Sequence, residues 1–269
     1  MIWRNNYKET GVCFLMGGKR GQVAIFVIIA IVIVAAVAII FLYPNLRIGI
    51  TTGDFSPNNY LSTCMENSVR ESIDILSKQG GYRNPEGYLI YNNEKIKYLC
   101  YASEYYQRCA VQQPMIKDHF EKELENMIDP EARECFESLK REYERRNYEI
   151  SASNHQINVS VVPNVIEISL KSDVRVRKDE LQENFDEFNI REDSEMYDLL
   201  MTAQNIIEFE STFGDSETTL YMQYYPELKI EKTKLGDGSK VYKLTNVVSE
   251  ESFTFASRSQ AWPPGYGLE

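Results

Sequence analysis

The sequence predicts an α+β protein: a single N-terminal transmembrane helix, then a disulfide-stapled helical region, then an antiparallel β-sheet with a packed helix. Three observations predict it. The run QVAIFVIIAIVIVAAVAIIFLY, from Gln22 to Tyr43, carries no charge and, after Gln22, no strongly polar residue. Four of the five cysteines, Cys64, Cys100, Cys109 and Cys135, fall together in the chain that follows, and from Tyr148 the apolar residues change from helical spacing to alternation.

The span comes first. A helix from Val23 to Tyr43, rising ~1.5 Å per residue, covers roughly 30 Å, the thickness of a hydrocarbon core. A buried helix of a soluble fold would keep a polar stripe, and a secretory apolar region is shorter, about 7–15 residues. The β-branched content is no obstacle, because unpaired backbone groups are too costly in lipid for a lone span to be anything but helical. Pro44 ends it. Arg4, Lys8, Lys19 and Arg20 precede the run and only Arg47 follows closely, so the positive-inside rule places the N-terminus in the cytoplasm and the rest outside the cell membrane. The expected divisions are a leader or cytoplasmic tail (1–21), a transmembrane helix (22–43), a linker (44–57), a cysteine-containing helical region (58–146), an antiparallel sheet plus helix (147–256) and a C-terminal tail (257–269).

The junction Lys19-Arg20-Gly21-Gln22-Val23 resembles the class III signal sequence of archaeal type IV pilin-like proteins. The resemblance implies a prepilin-type peptidase as partner, cutting between Gly21 and Gln22 and leaving the hydrophobic helix on the mature protein. It covers about the first 43 residues, and the layout beyond is similar to that of archaeal surface proteins. Two departures bear on filament assembly. Phe26 stands at the fifth mature position, where bacterial-type pilins carry Glu, and Tyr43-Pro44-Asn45 and Gly49 interrupt the helix where a pilin stalk would continue. Met16, just before GGKRGQ, is an alternative start that would give a brief basic leader.

Outside the membrane, Ser56 and Pro57 form an N-cap and first helical position. Leu61, Met65, Val69, Ile73 and Leu76 follow at helical spacing, and Gly80-Gly81 is the stop. GYLIYNNEKIKYLCYASE reads as a hairpin turning at Asn92-Asn93-Glu94-Lys95, its tyrosines covering the first helix. A second helix is expected from Pro114 to Met127, with Ile116, Phe120, Leu124 and Met127 on one face, and a third from Asp129-Pro130, burying Cys135, Phe136 and Leu139.

An even set of cysteines in an oxidising place suggests two disulfides, for which four cysteines allow three connectivities. The expected pairs are Cys100 with Cys109 and Cys64 with Cys135. Zinc would want a C-x₂₋₄-C pair, which is lacking, and a thiol nucleophile would want a histidine base, of which there are only His119 and His155.

Ile157, Val159 and Val161, then Ile166, Ile168 and Leu170, alternate with polar residues about a Pro163-Asn164 turn, and with flanking YEISAS and VRVRK predict an antiparallel meander. Asn158-Val159-Ser160 is a glycosylation sequon on its wet face. The acidic run from Asp179 to Glu195 reads as a solvated linker and helix start; it could offer oxygens to calcium but lacks the spacing of a calcium loop. A helix to about Phe209 follows, with Met196, Leu199, Leu200, Ala203 and Ile207 facing the meander. Gly236-Asp237-Gly238-Ser239 signals another hairpin, Phe253 and Phe255 share a strand face, and Trp262 and Tyr266 mark a tail that is either loose or docks back.

The sequence lacks the G-x-S-x-G, H-E-x-x-H, P-loop and G-x-G-x-x-G patterns. His119 and Glu123, four apart on one helix, lack a third metal ligand. No enzyme activity, metal or cofactor is therefore expected. A net charge of −11 and a pI near 4.9 argue against nucleic acid as a partner. Most of the 18 tyrosines read as packing residues, with Tyr105 and Tyr106, inside the small disulfide loop, as the recognition candidate. Three functions follow in order: a membrane-anchored surface protein with a structural, adhesive or pilin-like role, its partners the lipid bilayer and other copies of itself or other surface proteins; a tethered ligand-binding or receptor module, favoured by a tyrosine-lined pocket; and an extracytoplasmic hydrolase, favoured by a close, buried carboxylate couple in a cleft.

Overall fold

The computed structural model describes residues 56–153 and 156–263, with Ile29, Ala30 and Val32. The cleavage point Gly21–Gln22, the expected span apart from those three residues, His155 and Tyr266 lie outside the described residues; Ile29, Ala30 and Val32 are helical and exposed. Among the described residues no helix is long and apolar enough to cross a membrane. The chain forms two compact units, 1–54 and 55–269, and the second is α+β.

Helix α1 (Pro57–Lys78) starts as its sequence dictates: the Ser56 side chain accepts from the Asn59 N–H and Pro57 occupies the first turn. Leu61, Met65, Val69 and Leu76 are buried, each stabilising by ~1.5–3 kcal/mol. The chain leaves through Gly80 and Gly81, both with positive φ. Strands β1 (Tyr88–Tyr91) and β2 (Glu94–Tyr101) then pair about the two-residue turn Asn92-Asn93, whose φ angles of 51° and 66° give the primed turn that matches strand twist. Tyr91 and Tyr98 do not serve as cover for α1; they join a second, smaller core with Ile96, Val241 and Ala256. A short β3 (Ala110–Val111) pairs with β2.

Helix α2 (Ile116–Arg145) is one helix of 30 residues where the sequence suggested two. Pro130 costs it a backbone hydrogen bond, roughly 3 kcal/mol. It sits on the exposed side, while Phe120, Leu124, Ile128, Ala132, Cys135 and Leu139 continue one buried face across it, so packing outweighs the local defect. Ile128 is fully buried on that face, and Met127 packs half-buried beside it.

The alternating region forms a four-stranded antiparallel sheet in which the long β6 (Val165–Lys178) is flanked on one edge by β4 (Glu149–Ala152) and β5 (Gln156–Val162) and on the other by β7 (Leu181–Asp193). The acidic run is thus a strand, not a linker, and offers no calcium loop. Its alternate residues Phe188 and Ile190 are buried opposite Leu170 and Ile168, and on its polar face Arg191 meets Glu167 of β6 at 2.9 Å.

Helix α3 (Met196–Phe213) follows, longer than expected by one turn, then a short α4 (Thr219–Tyr224) that the sequence reading did not anticipate. Strands β8 (Leu228–Lys234), β9 (Lys240–Asn246) and β10 (Ser252–Arg258) complete a larger sheet in the order β1-β2-β10-β9-β8. Because β2 lies parallel to β10, the helical and sheet regions are not separate bodies. The helices lie between the sheets: α1 touches β7 and β10, and α3 touches β9 and β10 on one side and β5 and β6 on the other, giving one continuous core rather than the meander contact alone.

Candidate functional site

The disulfides fix the frame. Cys64 is joined to Cys135, linking α1 to α2 across 71 residues, and Cys100 to Cys109, closing the loop between β2 and β3. The remaining group of potential metal ligands among the described residues, Cys64, Glu131 and Cys135, is consumed by the first bridge.

The end of α3 is held by a charged network in the core. Glu210 is fully buried, and its carboxylate accepts from Lys240 Nζ at 3.0 and 2.7 Å, from Ser257 Oγ at 2.9 Å, from the Ser216 N–H at 2.9 Å and from the Tyr242 hydroxyl. Lys240 also donates to the Gly214 carbonyl and reaches Asp215 at 3.1 Å. Burial and the neighbouring Glu210 push the Tyr242 hydroxyl far above its ordinary pKa, so it stays a donor. Burial opposes the Asp215 charge, but hydrogen bonds from Lys232 and Lys234, with Lys240 beside them, outweigh it and hold the carboxyl well below the usual range. Every charge here is paired, so the network clamps the end of α3 to β9 and β10.

On the outer side of that clamp lies an aromatic cleft. Gly214, with φ 89°, caps α3 in the left-handed conformation, and the chain folds back as α4. The Met222 sulfur accepts from the Ile230 N–H, fixing α4 to the edge of β8. Between α3 and α4 opens a cleft of about 390 Å³ lined by Phe209, Glu217, Leu220, Tyr221, Tyr224 and Tyr225. Tyr224 is 78% exposed and Phe213, whose ring lies 4.5 Å from that of Phe209, 63%. Burial raises the Tyr221 hydroxyl, and hydrogen bonds from Thr219 lower the Glu217 carboxyl. Flat apolar groups fit such a wall, and Glu217 is the one charge at its rim; it holds no nucleophile beside a base. The tyrosine cluster LYMQYYPE carried the signal for this site in the sequence, but not the helix that shapes it.

The other expected residues fall elsewhere. Tyr105 and Tyr106 are exposed, yet already engaged: Arg258 lies over the Tyr105 ring at 5.2 Å and Trp262 meets Tyr106 edge-on at 5.3 Å, with the Tyr106 N–H bonded to the Ala261 carbonyl. The tail therefore docks back through residue 262. Asn158 is exposed on β5. His119 packs tilted against the Tyr82 ring at 3.9 Å, with its Nε2 unpartnered and its pKa lowered by burial, while Glu123 accepts from the Arg83 N–H. An acidic cleft between α1 and the β9–β10 turn includes Asp74, Glu192, Glu250 and Glu251. Arg70 pairs with Glu192 at 2.8 Å, Lys78 with Asp74 at 2.6 Å, and Glu251 accepts from Ser194 Oγ and the Glu195 N–H.

No family model, no curated protein and no solved structure matches this chain.

Proposed function

We propose that this is a single-pass membrane-anchored protein, cleaved after Gly21, whose α+β unit stands outside the cell and serves a structural or adhesive role. The observation that carries the reading is that all four cysteines of the described unit are paired in two bridges, a state that persists in oxidising compartments. The charge-free run 22–43 and the cationic residues before it support the anchor and its direction. The test is protease added to intact cells, followed by mapping of the released peptides without reduction. Release of peptides from 56–263 with both bridges intact is expected; full protection, or four free thiols, would overturn the proposal.

A second reading, a tethered ligand-binding module, is favoured by the tyrosine-lined cleft between α3 and α4.

A further inference from the structure

The strand edges of this fold are treated unequally. Antiparallel pairing of Val159 with Ile168 and Val161 with Ile166 turns the N–H groups of Val159 and Val161 outward, and two carboxylates four apart on α2 receive them: Glu125 at 3.0 Å and Glu121 at 2.8 Å. The outer side of β7 is met by Asn58 Oδ1, which accepts from the Asn189 N–H at 2.9 Å, and that of β8 by Met222. Each is a way of blunting a template for added strands.

Among the described residues β1 has no such cover. Its two-residue turn fixes Tyr91 opposite Glu94 and Leu89 opposite Ile96 as the hydrogen-bonded pairs, so the backbone groups of Tyr88 and Ile90 face outward, where the sheet ends. The strand is Tyr-Leu-Ile-Tyr, without charge, proline or bulge, and Ile90 is 66% exposed.

We propose that β1 pairs antiparallel with β1 of a second copy of this chain, about a two-fold axis at Leu89, making one sheet continuous across two molecules. The arithmetic of the edge points to self-pairing. Centring on Leu89 sets Tyr88 opposite the other copy's Ile90 and Ile90 opposite its Tyr88, and these are the residues with outward N–H and C=O groups, so all of them are satisfied in reciprocal pairs. The two contacts flanking the axis are then aromatic against β-branched, a favourable combination, the central one is Leu89 against itself, and neither copy brings a charge within the strand. Shifting the register by one residue would set outward groups against inward ones and lose every bond. The pair is small, so it forms where copies are concentrated, as on a surface, and dissociates in dilution. It does not depend on the anchor.

The experiment uses the full chain with Cys13→Ser, in mild detergent at rising concentration, under mild oxidation. Leu89 meets its own copy at a Cα separation of ~4.5 Å, within disulfide reach, whereas Ile90 is displaced from its copy by two residues, roughly 8 Å, and is not. Leu89→Cys is expected to give a covalent dimer at least tenfold more readily than Ile90→Cys, and adding Ile90→Pro, which removes an outward N–H, is expected to abolish it while both native bridges persist. No dimer from Leu89→Cys, equal yields from both positions, or indifference to Ile90→Pro would overturn the proposal. Amide exchange in the unsubstituted chain is an independent check: the Tyr88 and Ile90 amides should slow with concentration, and unchanged rates would also overturn it.

Discussion

The two sheets face the same helical layer but are attached to it by different physics. The smaller sheet presents Val159, Val161, Ile166, Ile168, Leu170 and Phe188, an apolar surface, and meets polar groups of the helices, Glu121, Glu125 and Asn58, at its strand edges. The larger sheet buries Phe253 and Phe255 in the same way, but also threads Lys240, Tyr242 and Ser257 through its surface to meet Glu210 of α3. Against α3 the apolar surface names no single partner; a buried carboxylate held by five hydrogen bonds from four groups has one geometry. The larger sheet is therefore the part of the molecule whose position against α3 is fixed, and the aromatic cleft is built on that fixed end.

The sharpest way to break this contrast is Glu210→Ala, which strands a buried Lys240 and is expected to cost about 3–5 kcal/mol in urea unfolding, with the tyrosine cleft lost before global unfolding. Val161→Ala, the matched change in the smaller sheet, should cost less and leave the cleft intact. Next come the bridges. Loop-closure entropy gives ~4 kcal/mol for Cys64–Cys135 and ~3 kcal/mol for Cys100–Cys109, so paired Ser substitutions measured by thermal melting should rank in that order. The reverse order would mean that the β2–β3 loop carries more native structure than its length implies. The smallest effect is expected at the solvent side of the charge network. Asp215 is half exposed, so Asp215→Asn should cost only about 1 kcal/mol at pH 7. Its folded pKa lies below the unfolded one, so this contribution is complete above about pH 4 and fades as pH falls further. Urea unfolding of both chains at pH 7, 5 and 3 should show the curves converging only at the last; convergence by pH 5 would contradict the pairing with Lys232 and Lys234.

What the sequence revealed and what it hid follow from range. The start of α1 at Ser56-Pro57, its stop at Gly80-Gly81, the Asn92-Asn93 turn and the alternation of β5 and β6 are set within a few residues, and spacing alone exposes them. The cysteine pairs were found by compartment and loop length. Pro130 misled because a local breaker was weighed without the buried face that continues through Ile128 and Ala132. The acidic strand β7 misled because its charge hid Phe188 and Ile190, which only the partner strand makes sense of. Glu210 was wholly illegible, since nothing near residue 210 announces a lysine 30 positions later. The tyrosine cleft was half legible: LYMQYYPE gave the residues, while α4 and its seat on β8 needed the fold.

One feature of the larger sheet also constrains how the protein is made. β10 lies between β2 and β9, and it follows every other strand among the described residues. During synthesis β2 emerges more than 150 residues before its neighbour, so the nascent polypeptide waits with that strand half paired until residues 252–258 arrive. Folding of this sheet is therefore completed only once β10 has been made.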